Sequence, residues 1–169
     1  MYPLRIAGFD YQGLHRYFLT LCAFRRSPVF CSSHVVTPVL SQFRQAASRE
    51  PYALLAYCFM PDHVHMLLEA RGEFADFRRF VTTAKQKAGY WYSQETGQRL
   101  WQLGFYDHVL RDDERTLAVA CYILANSVRA GLVRAIEAYP FAGSDVFAID
   151  EIAAAVQAWT PPGRPVRQA

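Results

Sequence analysis

His63 and His65 stand two residues apart in the segment Met60-Pro-Asp-His-Val-His-Met-Leu-Leu68. If that segment is extended, both rings leave the same face of the strand, and Val64 and Met66 leave the other. Neutral imidazoles held side by side compete for one proton, and a divalent cation shared between them removes the competition. A single histidine in an apolar strand is ordinarily a hydrogen-bonded core residue. The pair, with Asp62 just ahead of it, is what raises a metal site. The same H-x-H spacing occurs in zinc hydrolases and cupins. A metallo-hydrolase wants a further Asp-His soon after the pair, where this chain has Met66-Leu-Leu-Glu69. An amidohydrolase barrel needs about 250 residues, more than the 169 present.

A second group lies in the segment from Glu114 to Val133, which reads as a helix. Leu117, Cys121, Leu124, Val128 and Leu132 fall on one stripe that is expected to face a sheet. Tyr122 and Asn126 are off that stripe and one turn apart, so a phenol and an amide oxygen can be presented at one spot. Arg115 and Arg129 lie near the same side. A phenol, with an ordinary pKa near 10, is a weak nucleophile at neutral pH and needs its target polarised.

The remaining elements follow from pattern and punctuation. His15 to Phe24 is aromatic and β-branched between Gly13 and Pro28, and reads as a strand. Residues 34–49 read as a helix with Pro38 near its start. Tyr52 to Met60 and His63 to Ala70 read as two strands of a hairpin turning at Pro61-Asp62, buried largely on both faces. Phe74 to Tyr92 spaces Phe77, Phe80, Val81 and Ala84 at helical intervals, and Trp101 to Arg111 reads as a turn and a strand. The order β-α-β-β-α-β plus a helix predicts an α+β, ferredoxin-like split β-α-β fold. Its sheet is antiparallel, with helices on one face and an added C-terminal helix that carries Tyr122. One domain is expected over 1–148, and 149–169 is expected to form a C-terminal helix and Pro-rich tail.

Composition narrows the class. With 52% hydrophobic and 20% charged residues the chain is globular rather than disordered or fibrous. The basic residues are 16 Arg and 2 Lys, and residues 1–49 hold six Arg against the single acid Asp10. Arg presents a planar fork suited to phosphate, so a local basic patch is implied rather than a basic protein. Cys22, Cys31, Cys58 and Cys121 form no C-x-x-C pair and are expected to be buried free thiols in a reducing, cytoplasmic setting. No apolar run approaches the ~18 residues of a membrane span.

Three ordered segments carry a resemblance: Tyr57-Cys-Phe-Met-Pro-Asp-His-Val-His-Met-Leu-Leu-Glu69, Trp101-Gln-Leu-Gly-Phe-Tyr-Asp-His-Val-Leu-Arg111 and Tyr122-Ile-Leu-Ala-Asn-Ser-Val-Arg-Ala-Gly-Leu-Val133. Together they resemble the single-tyrosine HUH transposases, and more narrowly the REP-associated tyrosine transposases, from about Tyr17 to Phe141. The resemblance implies a transposase that cleaves and joins single-stranded DNA near imperfect, REP-like hairpins. It implies that His63 and His65 hold Mg²⁺ or Mn²⁺ with Asn126 as third ligand. Tyr122 then attacks a backbone phosphate to leave a 5′-phosphotyrosyl link and a free 3′-OH. Two departures stand out: the family usually has Asn-Pro where this chain has Asn126-Ser127, and often Asn where this chain has Asp62. Ser127 removes a kink that Pro would impose, which bears on the placing of Asn126.

DNA contacts are expected from Arg78, Arg79, Lys85, Lys87, Arg115 and Arg129, with Tyr90, Trp91 and Tyr92 available either for stacking or for the core. Trp101 reads as a structural anchor. Tyr106 and His108 compete for a catalytic role, and Tyr106 is the rival nucleophile. A monomer is expected, with an active site shared across a dimer as the alternative. Two other readings are a non-catalytic nucleic-acid-binding domain on the same fold and a hydrolase using the histidines without Tyr122.

Overall fold

The computed structural model describes residues 9–110 and 116–158. Its elements are β1 (Arg16–Cys22), α1 (Ser33–Ala47), β2 (Tyr52–Met60), β3 (His63–Ala70), α2 (Phe77–Thr96), β4 (Tyr106–Val109), α3 (Thr116–Leu124), α4 (Asn126–Arg129), β5 (Ala142–Gly143) and α5 (Ile149–Ala158). The strands form one sheet in the order β4-β1-β3-β2-β5, each neighbour antiparallel to the next. This is the expected α+β arrangement, with the short β5 added at one edge.

Strict alternation in β1 sends Tyr17, Leu19 and Leu21 to one face and leaves Phe18, Thr20 and Cys22 half-buried on the other. β2 is buried on both faces, and a bulge between Leu54 and Ala56 changes its parity. As a result Tyr52, Leu54 and Phe59 all reach the core that α1 and α2 cover, while Leu55, Ala56, Cys58 and Met60 join a second cluster. The first core is aromatic: Phe77 at the start of α2 stacks on Tyr17 with centroids 3.8 Å apart at 11°. Asp76 caps α2, its carboxylate accepting from the Arg79 N–H at 3.0 Å. Gly97, in the left-handed region at φ 69°, ends that helix four residues beyond the expected Tyr92.

The second core lies on the opposite face of the sheet. It is sealed by α3 through Ala120, Ile123 and Leu124, with Ile136 and Ile152 of α5 behind them. Two expectations change here. The helix from Glu114 to Val133 is interrupted at Ala125 (φ −69°, ψ −8°), so the described part is α3 followed by the single turn α4. Of the expected stripe Cys121 and Leu124 are buried, joined by Ala120, Ile123, Ala125 and Ser127, whereas Leu117 and Leu132 are 52% and 43% exposed. Gly131 at φ 71° has already ended the helix before Leu132, which therefore leaves the stripe. The expected helix beyond residue 148 exists, and it packs through Ile152 onto the second core rather than trailing from it. Of the four cysteines only Cys58 and Cys121 are buried, whereas Cys31 is exposed.

Phe77→Ala is expected to lower unfolding stability by roughly 3–5 kcal/mol, since it empties a fully buried ring site, whereas Leu117→Ala stays within about 0.5 kcal/mol. Urea unfolding of the two variants checks both values.

Candidate functional site

The pleat that builds the core also builds the site. Antiparallel pairing sets Cys22 opposite His63 and Thr20 opposite His65, all four on the face that α1 and α2 do not cover. The two imidazoles meet edge to face, centroids 4.6 Å apart at 81°, and their Nε2 atoms are 3.1 Å apart. Each ring is held from behind. Asp62 Oδ1 accepts from His63 Nδ1 at 2.6 Å, and Thr20 Oγ1 lies 2.8 Å from His65 Nδ1.

Those partners fix the proton count. A carboxylate can only accept, so His63 carries a proton on Nδ1, and in its neutral form the ring turns a lone pair from Nε2 toward His65. The Thr20 hydroxyl can donate or accept, so His65 takes either tautomer. Without a cation, His65 Nε2–H donates to His63. With one, Thr20 reverses its hydrogen bond and both Nε2 lone pairs point at the ion. This is the outer-shell arrangement of metal-ligating histidines, and the donor set fits a divalent cation. Among the described residues no cluster of three or more His, Cys, Asp and Glu side chains is placed to hold a metal. The third ligand expected from the sequence is the Asn126 amide oxygen. Asn126 donates from Nδ2 to the carbonyls of Tyr122 (3.0 Å) and Ile123 (3.2 Å), which turns the acceptor Oδ1 to the other end of its amide.

A pocket of about 440 Å³ surrounds the imidazoles, walled by Thr20, Cys22, Arg26, Gln102 and Tyr106. Arg26 closes it, its Nε 3.2 Å from Asp62 Oδ2 and its Nη1 3.1 Å from Cys22 Sγ. Arg25 and Arg26 both adopt left-handed backbone, at φ 55° and 56°. Each costs roughly 1–2 kcal/mol relative to ordinary geometry. The strained turn is pinned by Ala23 N–H to Asp62 O (2.9 Å) and Phe24 N–H to Leu100 O (2.7 Å). Thr20 and Arg26 are site residues that the sequence does not single out, and Asp62 is one to which it assigns no role beyond standing beside the pair. Of these only Asp62, adjacent to the histidine pair, carried a local signal.

Tyr122 is half-buried on α3, and Phe18 is its link to the histidines: the Phe18 ring is 5.3 Å from His65 and 6.2 Å from Tyr122. Arg129 lies over the Tyr122 ring, its guanidinium carbon 4.7 Å from the centroid. Tyr122 and Asn126 share the sheet face of the histidines without lining their pocket, whereas Tyr106 lines it.

The expected DNA contacts divide. Arg79 is committed to the buried Glu50, and Lys85 donates from Nζ to the carbonyls of Gln102 and Gly104. Arg78 lies over the Tyr11 ring at 4.5 Å, Lys87 is half-buried, and Arg115 falls outside the described residues. All of α2 packs on the sheet face opposite the histidines, so its basic groups do not border the pocket except where Lys85 meets the loop before β4. Tyr92 and Trp101 are core residues, and Tyr90 is 69% exposed.

Burial, reinforced by the charges of His63 and Arg26 and partly offset by Asp62, pushes the His65 imidazole down to about 4. The unfolded chain takes up that proton near pH 6.5 and the folded chain does not. Stability present at neutral pH is therefore lost as pH falls from about 6.5 toward 4, by up to roughly 3 kcal/mol. Urea unfolding of metal-free protein at several pH values is expected to show this loss, and His65→Gln is expected to flatten it.

Comparison with known proteins adds three findings. A family model described as IS200-like transposase matches residues 12–126. A Haemophilus influenzae protein described as a REP-associated tyrosine transposase is 23% identical over 136 residues, covering 74% of this chain and 77% of its own. The solved structure of a REP-associated tyrosine transposase bound to a REP hairpin superposes with a TM-score of 0.67 at 20% identity, covering 82% of this chain and 81% of the other.

Proposed function

The chain belongs to the IS200-like transposase family, enzymes that cleave and join DNA, and we propose that it acts on single-stranded DNA beside hairpins through a covalent tyrosine intermediate. The observation that carries this reading is the convergence of the His63 and His65 Nε2 atoms at 3.1 Å on the same sheet face that receives Tyr122 across Phe18. Hairpin DNA as the substrate is supported by the REP hairpin in the similar solved structure.

In this mechanism the Tyr122 hydroxyl attacks the scissile phosphorus and loses its proton to solvent. The bond to the 3′ oxygen breaks, that oxygen takes up a proton, and a 5′-phosphotyrosyl link remains. One phosphodiester replaces another, so a 3′-OH can reverse the step without ATP. Arg129, stacked over the ring, positions the nucleophile and places positive charge beside it. Asp62 and Thr20 hold the imidazoles so that both Nε2 atoms face the phosphate site. His63 and His65, with Asn126 Oδ1, would hold Mg²⁺ or Mn²⁺. When bound, the ion polarises the phosphate and stabilises the departing oxygen. We assign the catalytic unit to residues 1–148 and favour a cytoplasmic monomer.

A second reading has one observation behind it: Tyr106, not Tyr122, lines the histidine pocket. Labelled hairpin-bearing single-stranded DNA incubated with protein and Mn²⁺, then run on a denaturing gel, separates the two. Tyr122→Phe is expected to abolish the protein-linked band and leave DNA affinity within about twofold, while Tyr106→Phe keeps the band. The reverse pattern would transfer the nucleophile to β4. A band that survives both changes would refute covalent tyrosine catalysis.

His63→Ala and His65→Ala are expected to lose Mn²⁺ binding and the band together, and Asp62→Ala to weaken Mn²⁺ binding by about 10–100-fold. Calorimetric titration with Mn²⁺ is the check, and unchanged affinity in the histidine variants would sink the ligand assignment.

A further inference from the structure

We infer that the cleft between α2 and the loop of residues 97–104 is a receptor for one unpaired nucleobase, read through the indole N–H of Trp101. The inference rests on the single-stranded DNA reading above and adds a specificity site to it. Trp101 is 5% exposed, it packs on Phe30 and Phe43, and its Nε1 finds no hydrogen-bond partner. A buried donor left unpaired carries the desolvation penalty without the bond, and such groups are rare in folded proteins. The position that faces this edge is Gly89, in the interior of α2. Its φ is not positive, so the backbone does not require glycine there, and in a helix interior glycine is destabilising relative to alanine. What Gly89 supplies is room: a Cβ at this position would stand 3.4 Å from Trp101 Cδ1 and 3.9 Å from Nε1. The helix gives up a side chain where the indole offers its donor.

Trp101 and Gly89 both line a cleft of about 540 Å³, within the range of small-ligand sites, and Nε1 lies buried in its wall. Gln86 and Ser93, one turn to either side of Gly89 on α2, line it with Arg99 of the loop. An apolar floor with a single donor and a polar rim suits a flat ring that carries a carbonyl on its edge, which describes thymine, guanine and cytosine. Gln102 lines both this cleft and the histidine pocket. Its backbone is fixed, the N–H donating to Cys22 O at 2.9 Å and the carbonyl accepting from Lys85 Nζ at 3.3 Å. A strand whose phosphate lies at the histidines can therefore lay a neighbouring base across Gln102 into the cleft. Burial and the nearby Arg99 hold the Lys85 amine down to about 8, consistent with a lysine that braces this wall instead of gripping phosphate.

The test uses the full chain and two labelled ten-nucleotide single strands, dT10 and an abasic decamer with the same phosphates. Wild type is expected to bind dT10 about tenfold more tightly than the abasic strand by fluorescence anisotropy. Gly89→Leu, which fills the cleft, and Trp101→Phe, which removes the donor, are expected to shrink that preference to about twofold. In ¹⁵N-labelled wild type the Trp101 indole resonance should move as dT10 is added. If Trp101→Phe does not fold, Gly89→Leu and the indole resonance carry the test. A tenfold preference retained in Gly89→Leu, an indole signal that saturating dT10 leaves in place, or equal wild-type affinity for both strands overturns the inference. Loss of this inference alone leaves the Tyr122-dependent band intact. Absence of the band together with absence of binding to either strand overturns the DNA reading beneath it.

Discussion

The register of β1 against β3 is the constraint on which the rest depends. Pairing Thr20 with His65 and Cys22 with His63 sends Leu19, Leu21, Val64 and Met66 together into the core beneath α1 and α2. The same pleat leaves the imidazoles on the other face with the hydroxyl and carboxylate that orient them. Side chains alternate with period two, so a slip of one residue would drive both histidines into that core and expose the aliphatic row. Core and site are two faces of one pairing. The register is further held at the turn, where Ala23 N–H donates to Asp62 O at 2.9 Å, so the residue that orients His63 is also tied to the end of β1.

Charge is used more sparingly than its abundance suggests. Several arginines are spent on surface ion pairs within the chain: Arg79 on Glu50, Arg44 on Asp145, Arg71 on Glu69 and Arg26 on Asp62. Partly exposed pairs of this kind contribute little stability individually. Arg26 differs through its position, because it anchors Asp62 behind His63 at the end of a strained turn. Arg129 likewise acts through Tyr122, over whose ring it lies. The positive field near the reacting groups thus comes from a few arginines placed by tertiary contacts, and the basic run on α2 lies on the far layer.

Asp62 and Ser127, the two departures from the family pattern, have local explanations. Asp62 can only accept, so it fixes the His63 proton on Nδ1, a role an asparagine amide performs through its carbonyl with less negative charge. The helix still breaks beside Asn126 without proline, at Ala125, and the buried Ser127 hydroxyl reaches back to Leu124 O at 3.3 Å. Back-bonding of this kind bends helices.

Local sequence was enough for the strands and for the first two long helices, but not for the continuity of the helix read from Glu114 to Val133. Period two in β1 and β3, helical spacing in α2, the Pro61-Asp62 turn and the order of elements all follow from side-chain type and spacing, because pleat and helix geometry are properties of the backbone. The adjacency of His63 and His65 and the one-turn spacing of Tyr122 and Asn126 follow for the same reason. Which groups surround them does not. Thr20 is 45 residues from His65, and only strand pairing brings them within 2.8 Å. The commitment of Arg79 and Lys85 to internal partners and the turning of Leu117 and Leu132 to solvent depend on which surfaces meet. So does the unpaired indole of Trp101 behind Gly89. Contacts between residues distant in the chain are set by packing the whole sheet, and no local pattern encodes them.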